Sequence, residues 1–177
     1  IPSAALAGLP EEVRRDPAPS SGRERVLLAA DGVLDFAWGA APRTAWVVVE
    51  EDFDPLRDVP RAWLLDAAEV LGSSPADLEL APVRLRVLAA AGDRVSMARM
   101  LAAARAGLAW VGLWHGPYPH PQLTLVVLPA RPGDADAFAH PMLIGVPRAS
   151  GLQATAPVRW PVVESQTVHQ LAYQLLE

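Results

Sequence analysis

The strongest constraint on the fold is an alternation of strand and helix patterns in the second half of the chain. Residues 82–89 alternate apolar side chains with arginines, which is typical of a strand with one buried face. A helical spacing of apolar residues follows, beginning at Asp93 or Ser96 and ending within 112–116. Gln122–Leu128 is then a continuous apolar run, as in a strand buried on both faces. This order predicts helices packed on a sheet.

The first half of the chain predicts strands and one inserted helix. Residues 24–51, including Val33–Trp38, contain three β-type runs separated by turn residues, and we expect consecutive antiparallel strands there. Apolar residues at helical spacing then follow Asp58, which has the position of a cap, and stop at Gly72.

The end of the chain predicts a short strand at Met142–Val146 and a helix at Val162–Glu177. The fold class expected from these elements is α+β. We expect three parts, namely a flexible arm or linker at 1–22, a β-rich segment with an inserted helix at 23–81, and an α/β part at 82–177.

The composition excludes several chemistries. The 177 residues include no Cys and no Lys, which excludes a thiol nucleophile, a disulfide, a cysteine-bound metal and a lysine Schiff base. A net charge of −5, with the arginines scattered, argues against nucleic-acid binding. Without a run of about 18 apolar residues, we expect no membrane span within this chain, and the compartment stays undetermined.

Three stretches, taken in order, resemble the aminopeptidase-N-like zinc metallopeptidases, which are gluzincins with a thermolysin-like catalytic domain. Residues 33–43 (VLDFAWGAAPR) are similar to the segment that closes the family's N-terminal β domain. Residues 116–123 (GPYPHPQL) are similar to a loop that enters a catalytic-domain strand, and residues 168–174 (VHQLAYQ) fall at the zinc helix. The resemblance covers roughly 24–177, with an unfamiliar insert at about 51–81. It implies the end of an antiparallel β domain followed by the N-terminal half of a thermolysin-like domain.

The zinc helix departs from the family's pattern. The family has His-Glu-Leu-Ala-His, with two imidazoles one turn apart and a glutamate that activates the bound water. Here only His169 matches, so it would be a vestigial ligand. Gln170 replaces the general base and cannot accept a proton from water, and Tyr173 replaces the second His. The family's third ligand, a glutamate on the next helix, would lie beyond Glu177.

The family's anchor for the substrate amine is also missing. The resemblance aligns the family's Gly-x-Met-Glu stretch with residues 137–143 and places Ala139 where the anchoring glutamate would be. An alanine cannot pair with an ammonium group. The resemblance further implies that Met142–Val146 is an edge strand along which a peptide lies extended, so the expected contact residues are Ala139, His140, Met142, Leu143 and Ile144.

These departures predict a non-catalytic metallopeptidase-like domain, a pseudo-aminopeptidase that binds a peptide or a partner protein or acts as a scaffold. We expect no catalytic residue and no cofactor. The alternative is an active zinc aminopeptidase or related metallohydrolase whose remaining active-site residues are altered or lie outside this chain. A third interpretation is a purely structural domain without a ligand.

Several single residues have a plainer interpretation beside the functional one. His169 is expected to be a hydrogen-bonded interior group, with a new metal site formed together with three other histidines as the less favoured hypothesis. Ser165 is expected to face solvent, although it precedes His169 by one helical turn. The six tryptophans are expected to fill cores and interfaces rather than to form an aromatic binding surface, and the carboxylates at 134 and 136 give only a weak indication of calcium.

Overall fold

The structure, a computed structural model, describes residues 4–7, 12–17, 24–29, 39–42, 45–129, 137–149 and 161–176. The strands are β1 (Ala4–Ala7), β2 (Glu12–Pro17), β3 (Glu24–Ala29), β4 (Gly39–Pro42), β5 (Trp46–Phe53), β6 (Val83–Ala90), β7 (Gln122–Leu128), β8 (Phe138–His140) and β9 (Leu143–Pro147). The helices are α1 (Pro55–Asp58), α2 (Arg61–Leu71), α3 (Arg94–His115) and α4 (Val162–Leu176), with a 3₁₀ turn at Pro75–Asp77.

A mixed five-stranded sheet organises the part of the chain from β5 onward. Its strand order is β5-β6-β7-β9-β8, in which β6, β7 and β9 are parallel and the outer strands β5 and β8 are antiparallel to their neighbours. Because β5 pairs with β6 along its whole length, the boundary predicted between residues 81 and 82 falls inside one sheet. Two further antiparallel pairs, β1 with β4 and β2 with β3, precede this sheet in the chain.

One face of the sheet carries the main hydrophobic core. Val83, Leu85 and Val87 of β6 point toward α3 and α4, whereas Arg84 between them is exposed. This is the alternation that the sequence predicted for a half-buried strand. β7 is buried along both faces, since its other face contributes Val126 to a smaller apolar cluster. The observed helices and mixed sheet establish an α+β fold.

Most predicted elements of the second half are confirmed. The strands at β6 and β7 and the helices α3 and α4 agree with the predicted ranges to within a few residues. Among the described helices, none combines the length and the hydrophobicity that crossing a bilayer would require.

The first half of the chain differs more from the elements that the sequence predicts. The helix expected between Asp58 and Gly72 is α2, which begins at Arg61 rather than directly after Asp58. A separate short helix that was not predicted, α1, precedes it, and the Asp54 side chain caps α1 by accepting a hydrogen bond from the Leu56 N–H at 3.0 Å. Pro60 then precedes α2, which ends as predicted at Gly72 with φ 63°. The stretch 1–22 expected to be an arm contains β1 and β2. The strand expected at Val33–Trp38 lies outside the described residues.

Helix α4 packs closely on α3 in a parallel orientation. A Cβ on Gly107 of α3 would lie 2.8 Å from Cδ2 of Leu171, so a larger residue here would require the fully buried Leu171 side chain to shift. Eight residues earlier on α3, the Arg99 guanidinium donates two hydrogen bonds of 2.6 Å to the Glu164 carboxylate at the start of α4. These two contacts fix both the distance and the rotation of α4.

Replacing Gly107→Val is expected to destabilise the protein by about 1–3 kcal/mol, because the new side chain overlaps the fully buried Leu171. The expected loss occurs although valine is a better helix former than glycine. Chemical denaturation measures the free energy of unfolding of the variant and of wild type. The control Ala106→Val, at an exposed position of the same helix, should cost less than about 0.7 kcal/mol. Equal stability of the two variants would contradict this account of the helix contact.

Replacing Glu164→Gln is expected to cost roughly 1 kcal/mol at neutral pH, because it breaks the two-point pair with the largely buried Arg99. The hydrogen bonds from Arg99 lower the pKa of Glu164. The stabilisation is therefore fully present above the unfolded-state pKa of about 4.3 and is lost as the pH falls through the lower folded pKa.

Denaturation at pH 7 and again under acid conditions checks this expectation, since the difference between wild type and variant should shrink in acid. Glu50→Gln is the control, because Glu50 pairs with Arg86 at a more exposed site. A cost for Glu164→Gln that does not change with pH would contradict the assignment.

Candidate functional site

Helix α4 presents two of the three predicted zinc-helix residues to solvent. Leu171 is fully buried, so the helical period directs His169 and Tyr173 outward, one turn apart. Their ring centroids lie 4.8 Å apart in an edge-to-face arrangement, and Gln170 is half-buried beside them. The prediction that His169 is an interior group is wrong, because the inward positions of α4 are taken by Val163, Thr167 and Leu171.

The donor set on α4 does not fit the zinc centre of the resembled family. It offers one imidazole, one amide and one phenol where that centre uses two imidazoles and a glutamate base. Within the described ranges, no three His, Asp or Glu side chains converge into a group that could hold a metal ion.

Two of the other three histidines contact aromatic rings. His120 packs edge-to-face on Tyr118 with centroids 5.5 Å apart, and His140 lies 5.6 Å from Phe138. Burial lowers the pKa of His120, which favours its neutral form. His115 is exposed at the end of α3. The hypothesis of a metal site shared by these histidines is therefore not supported by their positions.

The edge of the sheet on this side is β8. The predicted edge strand Met142–Val146 instead corresponds to β9, which lies between β7 and β8 and has partners on both sides. Leu143 and Ile144 are buried, at 3% and 0% exposure, so they cannot contact a peptide directly. The prediction for the edge was wrong because a two-residue turn returns the chain from a strand that the sequence pattern did not indicate.

The backbone N–H and C=O of Ala139 point away from β9, toward the outside of the sheet. The turn Pro141–Met142 joins β8 to β9, with His140 opposite Leu143. In a two-residue hairpin the pair next to the turn is hydrogen-bonded, and hydrogen-bonded pairs alternate with unbonded ones. Ala139, opposite Ile144, is then in an unbonded pair, so its N–H and C=O point to the outer edge. Its side chain packs against the helix-bearing core.

The turn itself holds an unusual backbone conformation. Met142 has a φ of 61°, which is uncommon for a residue other than glycine, and Pro141 before it suits a turn with positive φ at the next position. The Met142 carbonyl accepts a hydrogen bond of 2.8 Å from the Thr124 N–H of β7. The surrounding structure thus fixes a conformation that costs free energy locally.

Sequence reasoning missed Gln174 and Tyr118 as functional candidates. The Gln174 side chain accepts a hydrogen bond of 2.5 Å from the Tyr118 O–H and donates one of 2.5 Å to the His140 carbonyl. It thereby joins α4 to the β8–β9 turn. Both residues lie within stretches that carried the family resemblance, but neither periodicity nor spacing singled them out.

Ser165 is exposed, and its O–H donates to the Val162 carbonyl at 3.2 Å, which confirms a solvent-facing hydroxyl. The tryptophans are more exposed than expected. Trp63, Trp110 and Trp114 form an edge-to-face row, with centroids 5.3 and 5.7 Å apart, and Trp110 is 47% exposed. Two other tryptophans, and the acidic loop considered for calcium, lie outside the described residues.

A separate groove of about 630 Å³ lies between α1, α2 and the 3₁₀ turn. Its walls are mostly apolar and include Leu64, Leu80 and Leu113. None of the predicted site residues lines it, so it is independent of the edge of β8.

No protein-family model matches the sequence, and the search of curated proteins finds no match.

Replacing Gln170→Glu together with Tyr173→His is expected to create a zinc-binding pair on α4. Positions 169 and 173 lie one turn apart on the exposed face, which is the i, i+4 spacing of two imidazole ligands on one helix, and the rings now at these positions have centroids 4.8 Å apart. Calorimetric titration with zinc measures the gain, and a chelator should reverse it. Gln170→Glu alone, which lacks the second imidazole, is the control. If the double variant binds zinc no better than this control, the geometry assigned to α4 is contradicted.

Proposed function

We propose that this chain is a non-catalytic, metallopeptidase-like module that binds an extended peptide segment along the outer edge of β8, where no other described strand is paired. The observation that carries the proposal is the outward-pointing N–H and C=O of Ala139 at this edge. Backbone groups at an unpaired edge are a template for an added strand, the mode called β-augmentation. The resemblance to the aminopeptidase-N-like family implied a peptide along Met142–Val146, and the strand at the observed edge is its neighbour β8.

The chemistry of the neighbouring side chains argues for binding rather than hydrolysis. The Gln170 amide cannot act as a general base, and the Tyr173 phenol is a poor metal ligand at neutral pH. The rate enhancement of a zinc peptidase depends on both functions together. A chain that has an edge strand but lacks a general base and a second metal ligand can bind a peptide without hydrolysing it.

The opposite edge of the sheet is less suited to an added strand. At the end of β5, the Asp52 carbonyl already accepts hydrogen bonds from Arg57 at 2.5 Å and from Arg105 at 3.2 Å. Glu50 and Glu51 on the same strand are charged and pair with arginines of β6 and α3. Charges and occupied carbonyls protect a sheet edge from pairing. On β8 the outward backbone groups are the N–H and C=O of Ala139, a residue without a charge.

The ligand is expected to be an internal segment rather than a free N-terminus. An ammonium group at this edge needs a carboxylate partner, and the position aligned with the family's amine anchor is Ala139. A strand added to β8 directs alternate side chains to the two faces of the sheet. The Ala139 side chain lies on the helix-bearing face, where α4 is the neighbouring element.

Replacing Ala139→Pro is expected to abolish peptide binding while the fold is preserved, because the N–H that it removes points outward and takes no part in pairing with β9, and proline is tolerated on edge strands. Fluorescence anisotropy with a library of labelled octapeptides, N-acetylated or with a free N-terminus, measures the affinity. The control Ala139→Ser keeps the N–H and should bind like wild type. N-acetylated peptides should bind at least as well as free ones.

Equal binding by the proline and serine variants would contradict the proposed edge. Stoichiometric zinc in the purified protein, together with chelator-sensitive hydrolysis of aminoacyl anilides, would favour the active aminopeptidase instead. A library without any binding peptide would favour a purely structural domain.

A further inference from the structure

The side chain of Gln174 lies where three elements of the proposed site meet. Its Oε1 accepts a hydrogen bond of 2.5 Å from the Tyr118 O–H, which comes from the loop between α3 and β7. Its Nε2 donates to the His140 carbonyl at 2.5 Å and to the Leu143 carbonyl at 3.3 Å. These two carbonyls flank the turn whose outer strand is β8.

Only a side chain with both a donor and an acceptor can make these contacts. Glutamine has an amide that donates through nitrogen and accepts through oxygen, whereas an ionised glutamate only accepts and leucine does neither. Gln174 is half-buried, so the hydrogen bonds are partly shielded from water. The contacts therefore depend on this amide rather than on side-chain size.

Tyr118 is the rigid partner in this arrangement. It is 5% exposed, and burial raises the pKa of its phenol, so the O–H remains a donor at all physiological pH values. The Met142 backbone opposes part of this rise in the pKa. Tyr118 thus supports the turn through its hydrogen bond to Gln174.

We propose that Gln174 and Tyr118 are positioning residues for the β8 edge: they fix the β8–β9 hairpin against α4 and so orient the Ala139 N–H and C=O toward an incoming peptide. This inference rests on the proposed function of the edge. Its physical basis is preorganisation, since a hairpin that is already ordered loses less conformational entropy when a strand is added.

The test compares Gln174→Leu, Gln174→Glu and the milder Tyr118→Phe with wild type. Two quantities are measured: hydrogen exchange of the amides in 138–143 without peptide, and the affinity for the octapeptide library. Loss of one to three hydrogen bonds should speed hairpin exchange and weaken binding by roughly tenfold. Gln166→Leu is the matched control on the same helix, because the Gln166 Oε1 has no partner to lose.

The Gln174→Glu variant should make peptide affinity and hairpin exchange depend on pH, which a purely structural role of Gln174 does not predict. When its carboxyl is protonated it regains one donor beside an acceptor, so affinity and exchange should recover toward wild type as the pH falls. The other titratable groups beside this site are Tyr118 and His120 on the loop, with ring centroids 5.5 Å apart, and His140 at the end of β8. His169 and Tyr173 lie on the outward side of α4. Wild type carries all of these groups and is measured at each pH as the reference.

The outcomes separate the two proposals. If wild type binds no peptide, the proposed function fails and this inference fails with it. If wild type binds while Gln174→Leu and Tyr118→Phe bind equally well with unchanged hairpin exchange, only the positioning role is overturned. Circular dichroism of each variant excludes global unfolding as the cause of lost binding, and Tyr118→Phe, which removes a single oxygen, keeps the test valid if Gln174→Leu fails to fold.

Discussion

The close packing of α4 against α3 determines what the rest of the site can do. Gly107 lets Leu171 approach the α3 backbone, and the pair between Arg99 and Glu164 fixes the start of the same helix. With Leu171 turned inward, the helical period leaves His169 on the outer surface. The packing of α4 on α3 thus determines which side chains of α4 face solvent and which reach the sheet.

The second consequence of this packing is the connection between α4 and the sheet edge. The last turn of the helix reaches the β8–β9 hairpin, where Gln174 binds the carbonyls on both sides of the turn. Met142 in that turn holds a left-handed backbone conformation, which only a well-defined surrounding structure maintains. The edge strand β8 is therefore fixed by contacts with the rest of the fold, as a preformed binding surface requires.

The sequence predicted the elements whose patterns are local and strong. The alternation in β6, the apolar run of β7 and the helical spacing of α3 each depend on burial along one element, which hydrophobic periodicity reports directly. The rotation of α4 was predicted wrongly at His169, since a half-apolar helix does not by itself reveal which residue faces a neighbouring glycine.

Strand β8 was missed because three residues carry too short a pattern, so the buried β9 was assigned to the edge. The role of Gln174 depends on contacts between residues 31 to 56 positions apart, which no local pattern encodes. The short helix α1 was likewise not predicted, because it has a single turn after its cap at Asp54, and Asp58 offered a plausible cap four residues later.

The most direct test of the account is hydrogen exchange at the Ala139 amide, followed by NMR in the free protein and with a bound N-acetylated octapeptide. An outward-pointing N–H at an open edge exchanges quickly with solvent and becomes protected when a peptide strand accepts its hydrogen bond. The account predicts fast exchange without peptide and slow exchange with it. An Ala139 amide that is already protected in the free protein, or that exchanges equally fast with the peptide bound, would contradict the assignment of β8 as the binding edge.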